Sequence, residues 1–336
     1  MSKQDLLDAS ETGDLARVKE LLQSGIPINC RNQYGRTPLF LASANGHDNV
    51  VQCLIDAKAE LDIRGLRDET PLSYASSNGH SVVVRLLIDA QATVDARDSR
   101  GEIPLFWASV NGHSIVVQYL VDAGAELNAS DSIGRTPLLA ASTNGHDDVV
   151  QRLINAGAAL DTRDSVGRTP LCWASIKDHL AVVRHLSDAR ASLDTLDVND
   201  QTPLYWASLM NHDDVFQYLV NAGATVDVPG SDGRTPLFWA SSSGRTDVLQ
   251  RLIDAGAWIH VCYKTNKTLL DKFSKNLEVR NILMTSNQIW SPTVYSLTSK
   301  TTQETIQTIM MILFHHDCSI TNLSPELLFR IFNFLF

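Results

Sequence analysis

The chain has 336 residues, 44% hydrophobic and 20% charged. This balance excludes wholesale disorder and, at this length, suggests two domains or a repeat array rather than one core. The formal net charge of −10 argues against sequence-independent binding of DNA or RNA, which needs a positive surface to displace counterions. The N-terminus has no apolar signal core, and no run approaches the ~18 apolar residues of a membrane span. Five scattered cysteines, Cys30, Cys53, Cys172, Cys262 and Cys318, form no CxxC pair. They read as reduced thiols in a cytoplasmic or nuclear protein with no membrane partner.

In chain order, Asp5-Leu6-Leu7 through Gly13-Asp14 opens a polar, proline-free unit. Seven units then repeat one tripeptide: Thr37-Pro38-Leu39, Thr70-Pro71-Leu72, Ile103-Pro104-Leu105, Thr136-Pro137-Leu138, Thr169-Pro170-Leu171, Thr202-Pro203-Leu204 and Thr235-Pro236-Leu237. Each proline follows the last by 33 residues with no insertion, so stacked units must stay in register. Proline suits the first position of a helix, and the threonine before it can cap. A small-residue face follows (Leu39, Ala42, Ser43). Asn-Gly-His, as in Asn45-Gly46-His47, then ends the helix on a left-handed glycine. A second helix is apolar on one side (Val50, Val51, Leu54, Ile55) and closes at Ala-Gly-Ala in units such as Ala123-Gly124-Ala125. An extended arm and an Asp/Gly turn, such as Asp164 to Gly167, lead to the next unit. Thr268-Leu269-Leu270 aligns one period after the last proline.

The period and the T-P-L pattern resemble the ankyrin repeat. The resemblance covers residues 1–285 and implies an all-α solenoid of seven full repeats between two polar capping units. Where the family has histidine after T-P-L, this chain has Phe40, Ser73, Phe106, Leu139, Cys172, Tyr205 and Phe238. Two positions after T-P-L stand Tyr74, Trp107, Trp173, Trp206 and Trp239. These rings are expected to fill space between neighbouring helices; an aromatic ligand cage is the alternative. Lys58, Gln91 and Arg190 replace the glycine that ends the second helix, so those units should carry a left-handed side chain and be locally weaker.

No phosphate loop, GxSxG elbow, HExxH or EF-hand loop is present, so no nucleophile, cofactor or metal is nominated and the chain reads as a non-enzyme. His47, His80, His113, His146, His179 and His212 occupy one slot of the repeat. Packed helices lie ~10 Å apart, too far for these side chains to share a zinc ion, so backbone hydrogen bonding in the turn is expected. His315, His316 and Cys318 would lack a fourth ligand.

The resemblance places a protein target on the concave face, against the turn tips and first helices. The tips carry Arg36, Arg67, Arg100, Arg135, Arg168 and Arg234, and the arms Arg31, Arg64, Arg97 and Arg163, interleaved with Asp62, Glu69, Asp98, Glu102 and Asp164. These form either a ladder of solvent-exposed ion pairs or a groove for an acidic peptide. In the middle units Ala-Asn and Ser-Asn become Ile176-Lys177 and Leu209-Met210, while the tips carry Ile133, Val166 and Val198. Apolar side chains on a face expected to be exposed suggest a target-binding patch; local repacking around Asp178 and Asn211, which replace helix-ending glycines, is the alternative.

After residue 285 the period disappears. Residues 286–303, rich in Ser, Thr and Gln, read as a linker, and 304–336 as a helical tail. Ser324 can cap a final helix with Pro325 at its first position, after which apolar residues cover nearly every face. Leu323, Pro325, Glu326, Leu327, Leu328, Ile331, Phe332 and Leu335 resemble the start of an F-box, with Ser324 where proline is usual. The resemblance implies that Pro325, Leu327, Leu328, Ile331, Phe332 and Leu335 contact a Skp-type adaptor of a cullin ubiquitin ligase. A SOCS box fits less well, because Thr301 stands where cysteine is usual. A helix that folds back on the last repeat also remains open. The chain is thus expected to be a substrate adaptor, or else a scaffold or inhibitor with no ubiquitin role.

Overall fold

The computed structural model describes residues 2–231, 233–257 and 276–286. Every regular element among them is an α-helix. They fall into two compact units, residues 1–230 and residues from 231 onward.

The first unit contains seven helical hairpins: α1 (Lys3–Thr12) with α2 (Leu15–Gln23), α3 (Pro38–Ala44) with α4 (Asp48–Asp56), α5 (Pro71–Ser77) with α6 (Ser81–Asp89), α7 (Pro104–Val110) with α8 (Ser114–Asp122), α9 (Pro137–Asn144) with α10 (Asp147–Asn155), α11 (Pro170–Ile176) with α12 (Leu180–Asp188), and α13 (Pro203–Met210) with α14 (Asp213–Asn221). Each odd-numbered helix packs on the next odd-numbered one and each even-numbered helix on the next even-numbered one, making two layers. The second unit holds α15 (Pro236–Ser242), α16 (Thr246–Asp254), which packs on it, and α17 (Leu277–Ser286), which packs on α16. The terminal element at Thr268-Leu269-Leu270 and the tail beyond residue 286 lie outside the described residues.

The local chemistry accounts for the boundaries. Proline opens α3, α5, α7, α9, α11, α13 and α15. The hydroxyls of Thr37, Thr70, Thr136, Thr169 and Thr202 accept the N–H three residues on. Ile103 and Thr235 make no such bond, but both are buried. The second helices from α4 onward bury two adjacent apolar residues and a leucine one turn later, as in Val50, Val51 and Leu54, or Val182, Val183 and Leu186. Fully burying such a side chain contributes ~1.5–3 kcal/mol, and because each repeat touches only its neighbours, stability accumulates unit by unit.

The left-handed positions fall where the sequence places them. Lys58, Gln91 and Arg190 have φ of 68°, 72° and 72°. The equivalent Gly124, Gly157 and Gly223 have open space where a Cβ would be, so a side chain meets only backbone strain. The glycine of Asn-Gly-His is different. A Cβ on Gly112 would lie 2.6 Å from the His146 ring, so that glycine is required by the histidine of the following repeat as well as by its own φ of 75°.

Candidate functional site

Five turn tips are built around one carboxylate or amide six residues before the proline; Gly65 and Gly230 stand there in the other two. One oxygen of Asp98 accepts the N–H groups of Arg100 and Glu102, both at 2.9 Å. Asp131 does the same for Ile133 and Arg135, Asp164 for Val166 and Arg168, Asp197 for Asn199 and Gln201, and Asn32 for Tyr34 and Arg36. Such side-chain-to-backbone bonds hold a turn in one conformation. The second tip has Gly65 at this position. There Glu69 folds in instead and accepts the Arg67 N–H at 2.6 Å.

The second carboxylate oxygen binds the first helix. Trp107, Trp173 and Trp206 donate their indole N–H to Asp98, Asp164 and Asp197 at 3.2, 2.8 and 3.1 Å. These rings are half-buried, so they share the space between helices rather than fill it alone. At the neighbouring position Phe40, Phe106 and Tyr205 are fully buried. Where the ring is absent, at Ala140, Asp131 takes the Arg135 guanidinium at 2.7 Å instead.

The arginines divide into three classes. Arg36, Arg135 and Arg168, two residues before the proline, belong to the framework. Arg168 lies between the Trp173 and Trp206 rings, 4.7 and 4.5 Å from their centroids, and pairs with Asp197. Arg135 bridges Glu102 and Asp131 and stacks on Phe106. Arg36 stacks on Phe40 and Tyr74 and donates to the Tyr74 hydroxyl at 2.9 Å. The arm arginines Arg64, Arg97 and Arg163 bond to backbone carbonyls one repeat ahead. Arg67 and Arg100, at the tips themselves, are exposed and make no ion pair among the described residues. One acid here is perturbed. Burial, reinforced by the charge of Asp98, pushes Glu102 up to about 7 against the pull of Arg135 and Arg100.

Neighbouring tips are joined edge to edge. Leu66, Ser99, Ser132, Ser165 and Val198 donate their N–H to the carbonyls of Tyr34, Arg67, Arg100, Ile133 and Val166. At the other end of the first helices, His80, His113, His146, His179 and His212 each place Nε2 about 3 Å from a carbonyl of the preceding repeat. The histidines thus bond backbone, but across the repeat boundary rather than within their own turn. Among the described residues no cluster of His, Cys, Asp or Glu could hold a metal ion. Burial raises the Cys172 and Cys30 thiols, which makes them poor nucleophiles. Among the described residues no helix is long and apolar enough to cross a membrane.

Of the sequence-nominated target residues, Ile133, Val166 and Val198 are exposed, and the backbone bonds run from the tip of Ile133 to that of Val166 and on to Val198. Ile176 and Leu209 are half-buried, while Lys177 and Met210 are exposed. These four end α11 and α13, one helical turn beyond Trp173 and Trp206. The nominated set therefore lies partly on the tips and partly at the ends of α11 and α13. The sequence reading missed the apolar tip residues Tyr34 and Leu66, both exposed. They could have been found by noting that Tyr34 shares its register with Ile133 and Val166, and Leu66 with Val198. The nominated adaptor contacts, Pro325 to Leu335, lie outside the described residues.

Comparison with known proteins matches the family model described as ankyrin repeats to residues 6–98, 57–131, 105–197 and 187–265. Serine/threonine-protein kinase 12 of Arabidopsis thaliana is 42% identical over 57 residues, 17% of this chain and 12% of that protein. Acyl-CoA-binding domain-containing protein 2 of the same plant is 40% identical over 48 residues, 14% of each chain. An ankyrin repeat-containing protein of Saccharomyces cerevisiae is 36% identical over 59 residues, 18% of this chain and 12% of that protein. The chain thus spans only 12–14% of the length of these relatives.

Proposed function

Because the chain belongs to the ankyrin-repeat family, a family of protein-binding stacks that ordinarily bind rather than catalyse, we propose that the tips and first helices of residues 2–230 hold a protein target without chemical reaction. The observation that carries this is the row of apolar tip residues, Ile133, Val166 and Val198, exposed on turns that side-chain and backbone bonds hold rigid. A rigid, pre-ordered apolar surface loses little entropy on binding. Ile176, Lys177, Leu209 and Met210 would extend the contact along α11 and α13. A full-length chain carrying Val166→Asp and Val198→Asp should lose the proteins retained by the parent in a pull-down while unfolding at the same urea concentration. An unchanged set of retained proteins refutes the reading.

The finer role is that of a substrate adaptor in the cytoplasm or nucleus, with residues 304–336 engaging a Skp-type component of a ubiquitin ligase. What supports it is the residue pattern of Leu323, Pro325, Leu327, Leu328, Ile331, Phe332 and Leu335. Co-purification with a Skp-type adaptor should succeed with the full chain and fail without residues 320–336. If the adaptor binds neither, the chain is a scaffold or inhibitor with no ubiquitin role.

A further inference from the structure

We propose that the tip ridge recognises an extended acidic segment of a partner protein, carrying two carboxylate side chains three residues apart with an apolar residue on either side. This rests on the reading of the same face as a target-binding surface, and adds the chemistry of what it binds. The second and third tips of the row present Arg67 and Arg100, both exposed, and the Ser99 N–H joins them through the Arg67 carbonyl at 2.9 Å. The arginines two residues before the proline are consumed by the framework. Arg135 pairs with Glu102 and Asp131, Arg168 with Asp197, and Arg36 stacks on two rings. Among the described residues Arg67 and Arg100 have no such partner within ion-pair distance. Their acidic neighbours are engaged elsewhere: Asp98 holds backbone N–H groups and the Trp107 indole, Glu69 holds the Arg67 N–H, and Glu102 is buried against Arg135. Asp68 is the one exposed acid in these two turns.

Apolar groups flank the two guanidinium groups. Tyr34 on the preceding tip and the 72%-exposed Leu66, beside Arg67 in its own tip, stand on one side, and Ile133 and Val166 on the other. The order along the ridge is therefore apolar, basic, basic, apolar, on a chain whose net charge is −10. Guanidinium groups bind carboxylates with directional, charge-assisted bonds. Repeats stack about 10 Å apart, as packed helices do, and an extended peptide advances about 3.3 Å per residue. Each repeat therefore spans about three peptide residues, which sets the spacing of the two acids and of the apolar residues beyond them. The overall negative charge disfavours a nucleic-acid backbone as occupant.

A displayed library of random 12-residue peptides selected against the full-length protein tests this. Enriched peptides should carry Asp or Glu at two positions three apart, with apolar residues outside them. Their binding, measured by fluorescence anisotropy, should weaken about tenfold or more in Arg67→Glu/Arg100→Glu, as loss of charged contacts predicts. Both side chains are exposed, so circular dichroism should not change and the urea midpoint should shift only slightly, through the charge of Arg100 on Glu102. Peptides that bind, are lost in Val166→Asp, but carry no acidic pair and survive the arginine reversal overturn this proposal and leave the target-binding face standing. A library that enriches nothing, or peptides indifferent to both variants, overturns both. Competition of bound peptide by single-stranded DNA at low micromolar concentration would show that the ridge reads phosphate rather than carboxylate, and also overturns it.

Discussion

Asp197→Asn tests the account of the tips most directly. The side chain is 1% exposed and receives four donors: the backbone N–H of Asn199 at 2.8 Å and of Gln201 at 3.1 Å, the Trp206 indole at 3.1 Å and Arg168 Nε at 3.4 Å. Asparagine is nearly isosteric and keeps an oxygen for the two backbone groups, as Asn32 does in the first tip, where the helix position facing it is Leu41. Its NH2 would, however, face an indole N–H and a guanidinium. Loss of the charged bond to Arg168 costs about 1.5–3 kcal/mol and stranding the indole donor about 1–3 kcal/mol. With partial relaxation the sum expected is about 3 kcal/mol. Trp206→Phe removes the indole donor, so Asp197→Asn in that background should cost about 1–2 kcal/mol less. Urea unfolding of the parent, both single variants and the double variant, followed by far-ultraviolet circular dichroism, closes the cycle if the slopes agree. A coupling below about 0.3 kcal/mol, the scatter of independent sites, would show that carboxylate and indole do not hold one another, and the rigidity argued for the tip would fall with it.

The other predictions concern pH, backbone strain and the repeat boundary. Glu102 is raised from an ordinary 4.5 to about 7, so the folded state holds its proton more tightly than the unfolded chain. Its stabilisation is full below about pH 4.5 and is lost as pH rises to 7, on the order of 2–3 kcal/mol in all. Urea midpoints at pH 5 and pH 8 should differ less in Glu102→Gln than in the parent; an equal or larger difference refutes the assignment. Lys58→Gly, Gln91→Gly and Arg190→Gly should each raise the urea midpoint, by about 0.5–1 kcal/mol, because all three residues are left-handed; a fall in all three would refute it. Gly112→Ala should destabilise by about 2 kcal/mol or more, from strain and from collision with the His146 ring. Adding His146→Ala should recover part of that loss in the same assay, and no recovery would mean that the ring is not what the glycine accommodates.

Much of the fold was legible because its causes are local. Proline at the first helical position, threonine before it, a left-handed residue after the second helix and the apolar pair with a leucine one turn later are all decided within a few residues, and 33-residue repetition makes each visible several times over. The exposure of Ile133, Val166 and Val198 was legible for the same reason, since a tip residue cannot turn inward without breaking its turn. Tertiary structure alone decided what depends on a neighbouring repeat or a distant side chain. Which of two adjacent aromatic positions is buried, Phe106 or Trp107, depends on the carboxylate of Asp98 nine residues earlier. Whether a tip arginine is framework or free depends on partners such as Glu102 for Arg135, one repeat away, which composition cannot assign. The histidines bond the repeat before their own. Glu69 takes over the work of the missing acid at Gly65 because its longer side chain reaches the same N–H from the other end of the turn. Sequence specifies each repeat through short-range sterics and hydrogen bonding, whereas the binding face is set by contacts between repeats, whose geometry exists only once the stack has formed.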